Sequence, residues 1–461
     1  MVAFDLETCA RPNILKLQPY RCARDDYEDN GINILLDANE NAYGPGLDMG
    51  SAVVNGHNND LADLNVSGLN RYPDPHQIEL KKLICHLRNS EGSSDLQPEN
   101  LFVGVGSDEA IDSLIRTFCE PGKSSLLICP PTYGMYKVSA CINDVGIVNV
   151  PLNPDFTPDV SRINDVLSSN SSIKLVYLCS PGNPTAKTIP QSAIEQILAH
   201  PTWNGVLVID EAYIDFATRN QELTSLPKSN SPWDPPSMAP IVPCHPNLVV
   251  MGTLSKAHGL AGLRLGFAFC PAPIARLLNA LKAPYNISNP TSQLAIKAMS
   301  PSSLELAHKK IKQIVVQRNR LVRELPNIPG IGRIVGGTEA NFLLYEILDG
   351  VSDQSDCNSG DPRVLKSGSK KAGQPSNSYA LAVYEQLAGS KGVVVRFRGK
   401  EHGCEGCLRV TVGTEEEVTV FLKEIKDVLA DLLGPDKHIQ DQVRQDAAQD
   451  QRQREESNVI A

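Results

Sequence analysis

No apolar run in this chain approaches the roughly 20 residues that span a bilayer, so nothing in it reads as a transmembrane helix. Positive charge is not in excess. Lys and Arg number 43 against 53 Asp and Glu, a formal net charge of -10, which gives no electrostatic grip on nucleic acid or an anionic membrane. Cysteine is sparse, with 12 in 461 residues, too few for a disulfide scaffold. The one close pair, Cys404-Glu405-Gly406-Cys407, lacks the second pair a zinc ribbon needs, so no metal is expected. The first residues already carry Asp5 and Glu7 and have neither an apolar segment nor an Arg-rich, acid-free character. They predict no secretory or mitochondrial leader and a cytoplasmic protein with reduced thiols.

What is present is ample apolar material, 41% of the chain. Between about residues 100 and 270 it falls into short continuous runs: Leu101 to Val105, Ser125 to Cys129, Lys174 to Leu178, Val206 to Ile209, Leu248 to Met251 and Leu265 to Phe269. Strands buried on both faces of a mostly parallel sheet look like this. Helical patterns such as Asp108 to Phe118 and Ser192 to Leu198 alternate with them, which predicts an α/β domain. A long amphipathic helix over about 301–325 leads into a smaller α+β region. Its strand candidates are Asn341 to Tyr345, Gly392 to Arg396 and Cys407 to Val412, and its last helix opens on the capping box Thr414-Glu415-Glu416-Glu417. The expected organisation is an N-terminal arm over 1–45, a large domain over 46–300, a connecting helix with a small domain over 301–433, and a disordered tail over 434–461. The Pro-rich 217–246 and the Ser- and Gly-rich 350–378 read as loosely ordered surface insertions.

Four polar motifs follow expected strands, where ligands gather in an open parallel sheet. Gly104-Val105-Gly106-Ser107-Asp108-Glu109 offers close backbone approach and helix N–H groups suited to a phosphate, or simply a capped turn. Ser180-Pro181-Gly182-Asn183-Pro184-Thr185 is a rigid turn holding one amide side chain. Asp210, in Asp210-Glu211-Ala212-Tyr213, ends a very apolar run and needs a cationic partner, structural or heteroaromatic. Thr253-Leu254-Ser255-Lys256 and Arg264 add phosphate donors and an amine suited to Schiff-base chemistry. A Lys nucleophile, a buried Asp, a Tyr, an Asn and a phosphate cradle together describe a pyridoxal phosphate site.

These motifs, with Leu36 to Asn41, Arg71-Tyr72-Pro73-Asp74-Pro75, Leu260 to Arg264 and Leu408 to Thr414, stand in the order found in a known family. The chain resembles the fold type I aminotransferases and, within them, the histidinol-phosphate aminotransferase family, from about Leu35 to Leu433 apart from the two insertions. The resemblance implies a homodimer that exchanges an amino group between L-histidinol phosphate and 2-oxoglutarate in histidine biosynthesis, with pyridoxal 5′-phosphate as cofactor. It implies that Lys256 bonds the cofactor aldehyde and moves the proton, that Asp210 pairs with the ring nitrogen, that Tyr213 and Asn183 bond the ring hydroxyl oxygen, and that Tyr133 stacks on the ring. Ser107, Asp108, Glu109, Thr253, Ser255 and Arg264 would surround the phosphate, with Tyr72 reaching it from the neighbouring subunit. Arg409 would clamp the glutamate carboxylate and the substrate phosphate in turn, helped by Arg396, Tyr20 and Asn41. The same scaffold carries other reactions, aromatic or broad-range transamination and phosphothreonine-type decarboxylation, and a non-catalytic cofactor-binding protein is a further alternative. The chain departs from the family at Ala186, where Gly is usual; if that position needs φ > 0, Ala is strained there.

Overall fold

The computed structural model describes residues 32–36, 39, 41–44, 73–89, 96–218, 234–350 and 373–434. Tyr20, Tyr72, most of the N-terminal arm and the tail beyond 434 lie outside them. The chain divides into two compact units. The first holds the described residues between Glu40 and Val315 together with Gly337–Asn341; the second holds those between Arg21 and Asn39, Val316–Gly336 and those from Phe342 onward.

The first described strand, β1 (Ile34–Leu35), belongs to the second unit. In the first unit the apolar runs become β2 (Leu101–Val105), β3 (Ser125–Ile128), β5 (Ile173–Cys179), β6 (Val206–Asp210), β7 (Leu248–Thr253) and β8 (Leu265–Phe269). A short strand that the sequence patterns do not reveal, β4 (Gly146–Asn149), lies at the edge with no residue fully buried. The seven strands are ordered β2-β8-β7-β6-β5-β3-β4, and only β8 runs against its neighbours. Helices α1 (Ile78–Arg88), α2 (Gly106–Phe118), α3 (Met135–Ile142), α4 (Val160–Ser169), α5 (Gln191–Leu198), α6 (Ala272–Leu281) and α7 (Asn289–Ala298) cover it.

Alternation along the strands builds two cores. Phe102, Val208 and Met251 pack with Ile111, Leu114 and Leu278 on one face. Leu101, Val103, Leu207, Ile209 and Val250 pack with Leu80, Ile84, Ile194 and Ile197 on the other. Each such side chain contributes about 1.5–3 kcal/mol on burial. This is the α/β class expected, with a mostly parallel sheet sandwiched by helices.

Helix α8 (Pro301–Glu324) begins in the first unit and ends in the second. In the second unit, β9 (Ile331–Val335), β10 (Phe342–Ile347), β12 (Arg396–Phe397) and β13 (Cys407–Thr411) form an antiparallel sheet ordered β12-β13-β10-β9. The expected single strand over 392–396 is split. Val393–Val394 (β11) pairs in parallel with β1, and the chain changes sheet at Val395. Helices α9 (Asn377–Ser390) and α10 (Glu415–Leu433) complete the unit. The capping box opens α10 as expected: Glu417 N donates to Thr414 Oγ1 and Thr414 N to the Glu417 carboxylate, at 3.3 and 2.7 Å. No helix among the described residues is long and apolar enough to cross a membrane.

The expected loose insertion over 217–246 does not survive at its second half. Residues 234–242 are packed, with Ser237, Met238, Ala239 and Val242 buried, and the chain returns to the surface at Pro243 and Cys244. The anchor is the Glu211 carboxylate, which accepts Ser237 Oγ at 2.5 Å and Met238 N at 2.6 Å. Proline marked this stretch as loop, but proline also ends strands against a core. Residues 219–233 lie outside the described residues, as do 351–372 of the second insertion; its end is tied down by the bridge between Leu348 and Pro375.

Burial pushes the Glu211 carboxyl up from 4.5 to about 7, against the pull of its two donors and of Arg88. A raised carboxyl holds its proton more tightly when folded, so it removes stability as pH rises from 4.5 to 7. His258, also buried, is driven down to about 4 by desolvation; it adds stability as pH rises from 4 to 6.5, the opposite sign in an overlapping window. Glu211→Gln is therefore expected to unmask the His258 slope. At 1.36 kcal/mol per unit, the wild type's stability relative to the variant should fall by about 3 kcal/mol between pH 4.5 and 7, read by denaturant melts across that range.

Candidate active site

The strand order brings the carboxyl ends of β2, β5, β6 and β7 to one edge, together with the amino end of the reversed β8. All four motifs sit there. Helix α2 starts at Gly106 directly after β2, with no intervening loop, and Asp108 and Glu109 in its first turn. Gly106 has φ +73°, and a Cβ on it would stand 2.6 Å from Arg264 Nη2. Gly266 is tighter still, since a Cβ there would lie 2.2 Å from Ser107 N. Glycine at both positions lets β8 meet the helix start backbone to backbone, and Gly106 N donates to Arg264 O at 2.8 Å. The helix N-terminus then presents amides to an anion.

Around that terminus stand the other expected donors. Arg264, itself at φ 51°, places Nη2 3.4 Å from Asp108 Oδ2. Thr253 Oγ1 lies 2.9 Å from Ser255 Oγ and accepts Ser255 N at 3.1 Å. Tyr133 donates to Asp108 Oδ1 at 3.2 Å. Glu109 differs from the rest: its carboxylate turns back to accept Val105 N and lies 3.2 Å from Asn286 Nδ2. An acidic side chain so engaged braces the turn, and a phosphate beside it would meet the amide of Glu109 and not its carboxylate.

Asp210 ends β6 and is fully enclosed. Ala212 N donates to its Oδ1 at 3.1 Å and Tyr136 Oη to its Oδ2 at 2.6 Å. Both donors are neutral, and no cation among the described residues pairs with it. Burial accordingly raises its carboxyl above the usual range, and the Tyr136 and Ala212 bonds pull against that rise. On the next strand, Ser180 N donates to Asp210 O at 2.9 Å, which fixes the Ser180 to Thr185 turn against β6. Asn183 is buried in that turn.

Lys256 follows β7, which is hydrogen-bonded to β6. Its Nζ stands 5.9 Å from the centroid of the Tyr213 ring. Asn41 reaches this loop through Nδ2, which donates to Ala257 O at 3.1 Å. A lysine, a buried carboxylate seeking a positive partner, and an anion cradle on adjacent strands fit a phosphorylated, protonated heteroaromatic aldehyde. Among the described residues no group of three or more His, Cys, Asp or Glu could hold a metal ion.

In the second unit, Arg409 lies on β13 with its guanidinium carbon 5.1 Å from the centroid of the Phe342 ring. Arg396 is its direct partner across the antiparallel β12–β13 pair. The register sets the two guanidinium side chains on the same face of the sheet. Two participants escape sequence reasoning. Tyr136 sits in an apolar helix and reads as core; its only signal is its place one turn beyond Tyr133. Glu211 is overshadowed by Asp210 beside it.

Over residues 32–425 the sequence matches the family Aminotransferase class I and II, and the chain belongs to the class I and II aminotransferases. It is 49% identical over 430 residues to the histidinol-phosphate aminotransferase of Schizosaccharomyces pombe, covering 92% of this chain and 98% of that protein. It is 43% identical over 440 residues to that of Saccharomyces cerevisiae, covering 93% and 98%. Within the class, the chain belongs to the histidinol-phosphate aminotransferase family. The fold is similar to that of histidinol-phosphate aminotransferase from Sinorhizobium meliloti in complex with pyridoxal-5′-phosphate, with TM-score 0.71, 21% identity and coverage of 94% and 99%. It is also similar to a Thermus thermophilus aspartate aminotransferase double mutant, with TM-score 0.65, 16% identity and coverage of 91% and 99%.

Ala186 adopts φ 51° and is completely buried, its N–H donating to Gly182 O at 2.8 Å. The left-handed conformation costs a non-glycine residue roughly 1–2 kcal/mol. Ala186→Gly relieves this but loses a buried methyl, about 0.8 kcal/mol, and adds about 0.5–1 kcal/mol of chain entropy. Its net effect on stability should stay within about 1 kcal/mol of zero. Ala186→Val, branched and without space, should cost more than about 2 kcal/mol. Denaturant melts of the two variants decide it.

Proposed function

We propose that this chain is the transaminase that exchanges an amino group between L-histidinol phosphate and 2-oxoglutarate, giving imidazole acetol phosphate and L-glutamate, with pyridoxal 5′-phosphate as cofactor. The observation that carries the cofactor reading is the enclosed Asp210 carboxylate with only neutral donors, one strand away from Lys256. The substrate reading is supported by the relatives at 49% and 43% identity and by the register that sets Arg396 and Arg409 on one face of the β12–β13 pair.

When bound, the cofactor supplies an aldehyde that takes up the amino group and a charged ring that draws electrons from the carbon bearing it. Asp210 holds the ring nitrogen protonated, because a positive partner removes the penalty of its own burial. The α2 N-terminus with Ser107 and Asp108, the Thr253 and Ser255 hydroxyls and the Arg264 guanidinium bind the phosphate. Asn183 and Tyr213 orient the ring through its hydroxyl oxygen, and Tyr133 stacks on it. Lys256 Nζ would hold the cofactor's aldehyde carbon in the resting enzyme and, once the substrate amine has displaced it, would take the proton from the reacting carbon and redeliver it. Glu109 steadies the cradle through Val105 N and Asn286, and Asn41 steadies the lysine loop through Ala257 O.

Arg409 is the clamp for both substrates. Its planar fork fits the carboxylate of glutamate and the phosphate of the amino alcohol. Arg396 adds a second cation that a phosphate, with its extra oxygens, uses more fully. The reading includes Tyr20 at the substrate phosphate and a cytoplasmic homodimer in which Tyr72 of the neighbouring subunit reaches the cofactor phosphate. The nine described cysteines, all free thiols, are compatible with a reducing compartment.

Lys256→Ala is expected to fold and bind cofactor while losing at least about a thousandfold in turnover, since base and covalent anchor vanish together. Borohydride reduction and peptide mapping of the wild type should label Lys256; a label on another lysine rejects the assignment. Arg409→Lys removes one charge-assisted bond, worth about 1.5–3 kcal/mol, so each half-reaction should weaken roughly ten- to more than a hundredfold in kcat/KM. Separate single-turnover measurements with glutamate and histidinol phosphate check this, and an Arg409→Lys enzyme that spares glutamate defeats the shared clamp.

A further inference from the structure

Tyr136 belongs to none of the four strand-end motifs, yet it is the strongest donor to their central carboxylate. Its ring is wholly buried in α3. It is stacked on Tyr177 with centroids 4.8 Å apart and planes 23° apart. Tyr177 is itself pinned, its hydroxyl donating to Ile111 O at 3.2 Å. The edge of Tyr136 meets the Tyr133 ring at 5.6 Å and 87°. So held, the Tyr136 hydroxyl has little freedom, and it donates to Asp210 Oδ2 at 2.6 Å. The neighbouring Cys179 thiol turns to Pro181 O at 3.3 Å, and a carboxylate is a far better acceptor than sulfur. Ala212 N takes up Oδ1 at 3.1 Å. A carboxylate offers about four lone-pair sites, so one bond to each oxygen restrains its rotation and leaves room for a ring N–H.

We propose that Tyr136 is a positioning residue that acts through Asp210, holding its carboxylate as an aimed anion so that the site selects a cofactor ring able to carry a proton on nitrogen. This rests on the cofactor reading above. Without the hydroxyl, Asp210 would face burial with a single backbone donor, and its carboxyl, already raised by desolvation with the Tyr136 bond as the chief opposing influence, would hold its charge less well and prefer a cationic ring less. Tyr133, whose ring Tyr136 braces, would keep its packing in a Phe variant, so loss of the hydroxyl and loss of the ring separate cleanly.

The test uses apo-protein and two probes: pyridoxal 5′-phosphate and its 1-deaza analogue, in which the ring nitrogen is replaced by CH. Both keep the aldehyde and the phosphate, so their ratio of dissociation constants reads the nitrogen contact alone. The wild type should bind the natural cofactor more tightly. Tyr136→Phe should lower affinity for the natural cofactor by about tenfold, one charge-assisted hydrogen bond, and for the analogue by less than about twofold. Tyr177→Phe, which removes the neighbouring buried hydroxyl, should lower the melting temperature and leave the ratio unchanged. If Tyr136→Phe weakens both probes alike, or neither, the proposal is overturned while the cofactor reading stands. If the wild type shows no preference between the probes, the pairing of Asp210 with the ring nitrogen is overturned and the proposal with it.

Discussion

A carboxylate enclosed at the end of an apolar strand is an unfavourable object, and this structure is arranged around one. Asp210 closes β6 between β5 and β7 and receives only neutral hydrogen bonds from Tyr136 and Ala212. Burying an ion without a counter-ion costs several kcal/mol even after relaxation. A positive partner removes most of that cost. The surrounding parts make sense as the means of bringing that group in and holding it: amides at a helix start, hydroxyls on the next strand, and an amine beside a tyrosine ring.

Backbone geometry at the strand ends is what lets these parts converge. Gly266 and Gly106 allow β8 and the start of α2 to touch, and this close approach carries Arg264 to within 3.4 Å of Asp108 in the first turn of that helix. On the opposite side of the strand end, Glu211 draws the packed 234–242 segment down through Ser237 and Met238. Asp210 and Glu211 are thus adjacent acids with separate partners, Tyr136 and Ala212 for the first and the 237–238 segment for the second. Both are buried, and their partners tell them apart.

Much of this is legible in the sequence, for identifiable reasons. Strands buried on both faces are continuous apolar runs, so β2 and β8 are readable to the residue. The capping box of α10 is readable because its two hydrogen bonds need particular side chains three residues apart. Where sequence fails, the missing information is long-range. Strand β4 is short and half-exposed, and only its partner β3 defines it. The break at Val395 comes from two different partners, β1 and β13, competing for one stretch. Tyr136 looks like any core aromatic until its hydroxyl is seen to reach a residue 74 positions away.

The sheet order also bears on how the chain is made. Strand β2 lies at the edge of the described sheet, and among the described residues its one strand partner is β8. The ribosome delivers β8 roughly 160 residues after β2, a delay of about ten to thirty seconds at ordinary elongation rates. Through that interval β2 carries an unpaired edge, the kind of surface that recruits other chains. The nascent protein therefore has a defined vulnerable period, which ends only when Leu265–Phe269 is inserted between β2 and β7. Until then the backbone contact of Gly266 with the start of α2 does not exist. The strand order thus places the last strand of the sheet beside the first, a pairing of high sequence separation.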